Sequence, residues 1–61
     1  MTRLEFERRK RGMTQKELGK VLGIYASEIC RIENGSKPFP SHIKRLSDFF
    51  NLPEDELLKE V

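Results

Sequence analysis

Few side chains in this 61-residue chain are equipped for covalent or metal chemistry. Cys30 is the one cysteine and His42 the one histidine. A lone cysteine forms no internal disulfide, which excludes an oxidatively stapled mini-protein. One cysteine with one histidine also falls short of a four-ligand structural zinc site unless several carboxylates join them. There is no nucleophile–base pair, no metal set and no glycine loop built to cradle a phosphate, so the expectation is no enzyme, no metal and no cofactor. Cys30 reads as a small space-filler rather than a redox centre. What the chain offers instead is charge: 12 Lys/Arg against 10 Asp/Glu. Residues 1–37 carry nine Lys/Arg and five Asp/Glu, whereas residues 38–61 carry three and five. A basic front followed by an acidic tail suggests one side turned to a polyanion and another turned elsewhere. The run Arg8-Arg9-Lys10-Arg11 has the look of a nucleic-acid patch, with one member engaged in structure and the rest a solvated face.

Such charges must be positioned by a small scaffold. A chain of this length buries only about 60% of its unfolded surface, so one domain over residues 1–61 with a small core is expected. Hydrophobic residues make up 36%, regularly spaced, which separates the chain from disordered sequences. No apolar run approaches the roughly 20 residues of a membrane span and no signal peptide opens the chain, so a cytoplasmic protein with no membrane partner is expected. No segment alternates at period two, and Gly and Pro punctuate a series of helix signals.

Thr2 and Glu5 stand at capping-box spacing, with Met1 and Phe6 as a hydrophobic staple, and predict a first helix through Arg11 that stops at Gly12. Thr14 and Glu17 repeat the box, and Met13 and Leu18 the staple; Leu18, Val21 and Leu22 form the apolar stripe of a second helix ending at Gly23. A third helix spans about Ala26 to Glu33, with Ile29 and Ile32 inward, Ile24 ahead of it and Asn34-Gly35 ending it. After a loop with Pro38 and Pro40, a fourth helix covers about Ser41 to Phe50, with Ile43, Leu46 and Phe50 inward and Asn51 as its stop. Pro53 opens a short fifth helix whose acidic start, Glu54 to Glu56, suits its N-terminal end. The architecture expected is an all-α five-helix orthogonal bundle.

Helices two and three are each about two turns long and joined by a tight glycine turn, which is a helix-turn-helix spanning about residues 14–34. Gly19 lies inside helix two at a cost of roughly 1 kcal/mol relative to alanine, and close approach of helix three is the expected compensation. The run TQKELGKVLGIYASEICRIENG, Thr14 to Gly35, resembles the helix-turn-helix of the Cro and phage-repressor (XRE) family of DNA-binding regulators. The matching features are Thr14-Gln15, Glu17-Leu18, Leu22-Gly23, Ile29, Ile32 and Glu33-Asn34-Gly35, with Arg8 in the first helix and the Pro38 loop, Ile43, Leu46 and Leu57-Leu58 beyond. The resemblance covers essentially the whole chain and implies a lambda-repressor-like DNA-binding fold.

In a domain of this kind the second helix of the motif enters the major groove. Ser27 and Arg31, four residues apart and opposite Ile29 and Ile32, then face the bases, with Cys30 beside them and Ala26 at the tip. Arg31 is the leading reader, because its planar fork matches guanine O6 and N7. Glu28 has two readings: acceptor for a cytosine amino group, or a charge tether holding Arg31. Tyr25 replaces the small polar cap usual in the family, and its hydroxyl is a candidate for phosphate. The resemblance implies that Gln15 and Asn34 hold the DNA backbone; Ser36 and Lys37 are further candidates, as are Lys16 and Lys44. It also implies an ion pair between Arg8 and Glu33. The expected function is a sequence-specific transcriptional regulator, read as a repressor, that binds double-stranded DNA as a homodimer. Phe49, Leu52, Leu58 and Val61 are the expected dimer interface. The alternative is an antitoxin or interaction module that uses the same fold to bind a partner protein.

Overall fold

The computed structural model describes all of residues 1–61. Five helices follow one another: α1 Arg3–Lys10, α2 Gln15–Leu22, α3 Ala26–Glu33, α4 Pro40–Phe50 and α5 Glu54–Leu57. The expected all-α bundle is the observed fold. Boundaries agree to within a residue at most ends, since Arg11 is the C-cap of α1 and Pro40 the first residue of α4.

Local chemistry explains most of these boundaries. Thr14 caps α2 reciprocally: its hydroxyl accepts from the Glu17 N–H at 3.0 Å, and the Thr14 N–H donates to the Glu17 carboxylate at 2.8 Å. At Thr2 only half of the expected box forms. Its hydroxyl accepts from the Glu5 N–H, but the Glu5 carboxylate turns along the helix to Arg9 at 2.7 Å. Met1 and Phe6, the expected staple, both stay exposed. Gly23 and Asn51 end α2 and α4 in the left-handed conformation, at φ 70° and 56°; Asn is one of the few non-glycine residues that adopts it readily.

The core consists of Leu4, Leu18, Ile24, Ile29, Ile32, Ile43, Leu46, Phe50 and Leu57, drawn from all five helices and the α2–α3 turn. Removing one of these large side chains to alanine costs about 2–5 kcal/mol in a well-packed interior. Val21 departs from the expected stripe and is 60% exposed. Successive helical residues turn by about 100°, so the buried arc centred on Leu18, Gly19 and Leu22 leaves Val21 outside it.

Gly19 is buried in α2 for a definite reason. A Cβ there would meet the Ile24 carbonyl oxygen at 2.2 Å, with the Ala26 nitrogen 3.4 Å away. The closest neighbour is therefore the turn rather than the body of α3. The Ile24 N–H donates to the Gly19 carbonyl at 2.8 Å, which draws the turn onto the helix.

The two chain ends meet, a feature with no local signal. Arg3 N–H donates to the Lys59 carbonyl and Val61 N–H to the Met1 carbonyl, each at 2.8 Å, around a bridge between Thr2 and Glu60. Arg3 adds ion pairs to Glu7 at 2.8 Å and to Glu56 on α5 at 3.4 Å. The Arg3 hydrogen bond holds the Glu7 carboxyl below the usual carboxylate range, against the opposing effect of its burial.

Candidate nucleic-acid interface

The helix-turn-helix is held from behind by one arginine. Arg8, buried on α1, donates through Nε to Glu33 Oε2 at 2.6 Å and through Nη2 to Glu33 Oε1 at 3.0 Å. Its third nitrogen, Nη1, donates to the Met13 carbonyl in the α1–α2 turn at 2.8 Å. Glu33 is the last residue of α3 and equally buried. The expected ion pair is thus present as a two-pronged fork, the geometry in which arginine binds carboxylate best. The Glu33 hydrogen bonds push the Arg8 guanidinium further above its ordinary range. One fork ties the first helix, the entry to α2 and the exit of α3 together.

Gln15 joins this cluster. Its Nε2 donates to Glu33 Oε1 at 3.0 Å, and the side chain is half-buried at the start of α2. An amide carries two N–H donors and an acceptor, so the Glu33 contact orients Gln15 and leaves capacity for a second partner. Beside it, the backbone N–H groups of Gln15 and Lys16 have no acceptor within the protein. The carboxylate of Glu17 partly offsets the positive end of α2; the Thr14 N–H holds its carboxyl below the ordinary range.

The outer face of α3 carries the residues expected to read bases. Ser27 and Arg31 are exposed, and Ala26 and Cys30 are half-buried on either side of that row. Tyr25 caps the helix with backbone alone, makes no side-chain cap bond and is 84% exposed. Arg31 rests on Glu28, whose Oε1 accepts from its guanidinium. The tether reading of Glu28 is therefore the arrangement present in the free protein. At the far end, Asn34 is exposed and its amide donates to the Cys30 sulfur at 3.5 Å. Gly35 turns the chain at φ 99°, and the exposed Ser36 and Lys37 follow.

The basic run on α1 is more committed than its composition suggests. Arg8 binds Glu33, Arg9 binds Glu5, and the Arg11 guanidinium lies 5.2 and 4.8 Å from the ring centroids of Phe49 and Phe50. Three of its four members are engaged, not one, because carboxylates one turn away and aromatic faces on α4 are within reach. Lys44 pairs with Asp48 at 3.7 Å, whereas Lys16 and Lys37 make no ion pair.

Of the residues expected at a dimer interface, Phe49 and Leu52 are half-buried and packed against the core. Phe49 stacks edge-on against Phe50 with ring centroids 5.0 Å apart. Leu58 and Val61 are exposed. Leu58 borders an open groove of about 350 Å³ with Pro38, Pro40 and Ile43.

Two supports of the interface carry no sequence signal. Arg45 of α4 donates to the carbonyls of Leu22 and Gly23, at 3.3 and 3.5 Å, and so braces the turn. His42 of α4 approaches Glu28 Oε2, the carboxylate oxygen that Arg31 leaves free. Both contacts join residues remote in the chain, where neither spacing nor type announces a partner.

No helix is long and apolar enough to cross a membrane, and no group of three or more His, Cys, Asp or Glu is arranged to hold a metal ion. No curated protein and no solved structure matches the chain. A family model described as helix-turn-helix does match, over residues 4–57, a span that includes the Arg8–Glu33 fork, the Gly23 turn and α3. With α2 and α3 packed across that turn and the match covering all but the chain ends, the protein belongs to the helix-turn-helix family.

Proposed function

We propose that the chain is a sequence-specific DNA-binding transcriptional regulator of the Cro and phage-repressor type, acting as a repressor. Membership in the helix-turn-helix family supports a DNA-binding regulatory role in general terms. The finer reading rests on one observation: Ser27 and Arg31 are exposed one turn apart on a helix whose opposite face, Ile29, Ile32 and Glu33, is fully committed to the interior. A helix held so firmly from behind presents its outer row as a rigid unit, which is what insertion into a major groove requires. In this reading Arg31 takes guanine, Ser27 a neighbouring base edge, and Ala26 and Cys30 contribute apolar contact. Gln15, Tyr25, Asn34, Ser36 and Lys37 hold phosphates and set the register. Residues 1–61 act as one domain with its helix-turn-helix at about 14–34.

The working form on DNA is a homodimer. One reading helix covers only a few base pairs, and regulators of this size gain specific affinity from two half-sites about one helical turn apart. The interface uses the exposed Leu58 and Val61, with Phe49 and Leu52 at its half-buried edge.

Selection of bound duplex from a random pool tests the reading. The expected result is a two-fold-related site whose half-sites lie about one helical turn apart, bound more weakly as salt rises. A protein that retains no duplex at any salt concentration contradicts it and favours a partner-protein role for the same fold.

A further inference from the structure

Glu28 sits at a junction between the Arg31 guanidinium and the His42 imidazole. Its side chain is only 12% exposed; Oε1 accepts from Arg31, and Oε2 lies 3.9 Å from Nδ1 of His42. That Nδ1 is buried and has no hydrogen-bond partner. Buried polar atoms are hydrogen-bonded in the great majority of cases, so an orphaned one adjacent to a carboxylate calls for a role. At 3.9 Å the pair stands beyond a hydrogen bond but within reach of one after a small side-chain shift.

The groups facing the imidazole are few. From α3 it meets Glu28, with Arg31 on that carboxylate's other oxygen. From the loop it meets the Phe39 ring edge-on, with centroids 5.4 Å apart. On α4 itself the next cations, Lys44 and Arg45, are directed to Asp48 and to the Leu22 and Gly23 carbonyls.

The Glu28 contact is made by Nη2, one of the two terminal nitrogens that a fork aimed at guanine O6 and N7 uses, so full two-pronged base contact requires the guanidinium to turn from Glu28. Once Arg31 moves to a base edge, Glu28 keeps a negative charge without its partner in the field of the phosphates. Such a charge is costly unless a new partner neutralises it. We propose that His42 is a positioning residue for Arg31: on DNA it takes a proton from solvent, donates Nδ1–H to Glu28 Oε2, and so releases the guanidinium for base contact. This inference rests on the reading of α3 as the base-contacting helix.

The sign follows from linkage. If the complex binds more protons per protein copy than the free protein does, affinity rises as pH falls through the range where histidine titrates, between roughly pH 5 and 8. His42 is the chain's one histidine. A pH dependence of binding that disappears in His42→Gln is therefore the signature of the coupling.

The test uses the full chain and a duplex taken from the random pool, with dissociation constants measured at fixed ionic strength from about pH 7.5 to 5.5. The wild type is expected to gain affinity severalfold per protein copy, approaching at most about three- to tenfold for a rise of half to one unit in the histidine midpoint on DNA. His42→Gln and Glu28→Gln are each expected to be flat across the same window. A His42→Gln protein that keeps the wild-type slope overturns the inference, as does a wild type that is itself flat. Equal weakening of His42→Gln at every pH, with the slope retained, marks a merely structural role and overturns it too. Should His42→Gln fail to fold, the NMR midpoint of the wild-type imidazole decides: a rise on adding duplex supports the coupling, and no change overturns it. A pool that yields no duplex overturns the DNA reading and the coupling with it, a result distinct from a duplex bound equally well at every pH.

Discussion

At the scale of single residues, the Arg8–Glu33 fork is the contact on which the helix-turn-helix depends most. Both side chains are buried, and Arg8 also binds the Met13 carbonyl while Glu33 also binds Gln15. Removing one partner leaves a buried charge uncompensated, which costs about 3–5 kcal/mol. Arg8→Ala and Glu33→Ala are accordingly expected to lose that much each, and to lose far less than the sum when combined. A double-mutant cycle by chemical denaturation measures the coupling, and additive losses would mean that the charges do not meet. Arg8→Lys is expected to rescue little, because an ammonium cannot reproduce two parallel bonds and a third to a carbonyl. Gly19 is the second sensitive position. A methyl group there meets the Ile24 carbonyl, a backbone atom that moves only if the turn moves. Gly19→Ala is expected to cost about 1–3 kcal/mol despite alanine's better helix propensity. A denaturation midpoint equal to wild type would contradict the close approach.

Among the elements, α2 links stability to pH through its cap. The Glu17 and Glu7 carboxyls are both held below their ordinary range, by the Thr14 N–H and by Arg3 respectively. A depressed carboxyl contributes stability that is complete above the unfolded-state value and disappears as pH falls through the folded-state value. Stability should therefore be level near neutrality and fall as pH drops from the ordinary carboxylate values through the lower folded-state ones. Glu17→Gln should lower the melting temperature at pH 7 and narrow its difference from wild type in acid; a constant difference at all pH values would contradict the assignment. Elements such as α2 were legible in the sequence because their determinants are local. Thr14 and Glu17, Gly23, and Asn51 act within a few residues of the boundaries they set. Leu18, Ile29 and Leu46 were legible as core by period alone. Val21 was not, because which arc of a helix is buried depends on where its neighbour sits, and the closeness of Gly19 to the turn moves that arc away from Val21. Thr2 was legible as a cap but not as half of the bridge to Glu60, and His42 gave no sign of its approach to Glu28. Those contacts exist only once the chain is folded. The base-reading candidates on α3 were legible because one helix displays them together; the commitment of Arg11 to Phe49 and Phe50 was not, since it spans two helices.

For the whole molecule, the proposed function requires that the exposed row on α3 meet DNA and that a second copy supply the other half-site. Leu58 tests the second without disturbing the core, since it is exposed while its neighbour Leu57 is fully buried. Leu58→Glu is expected to leave helicity and melting temperature nearly unchanged while weakening self-association and operator binding together. Sedimentation equilibrium on both forms checks it, and a wild type that stays monomeric at high concentration and binds DNA as a single copy contradicts it. Arg31 tests contact between α3 and DNA most directly. The measurement is the affinity of wild type and Arg31→Ala for every single-base variant of the selected site. Loss of preference at one base pair per half-site, at a cost of about 1–3 kcal/mol with the fold intact, is the expected result. Identical base preferences in the two proteins would show that Arg31 does not read DNA.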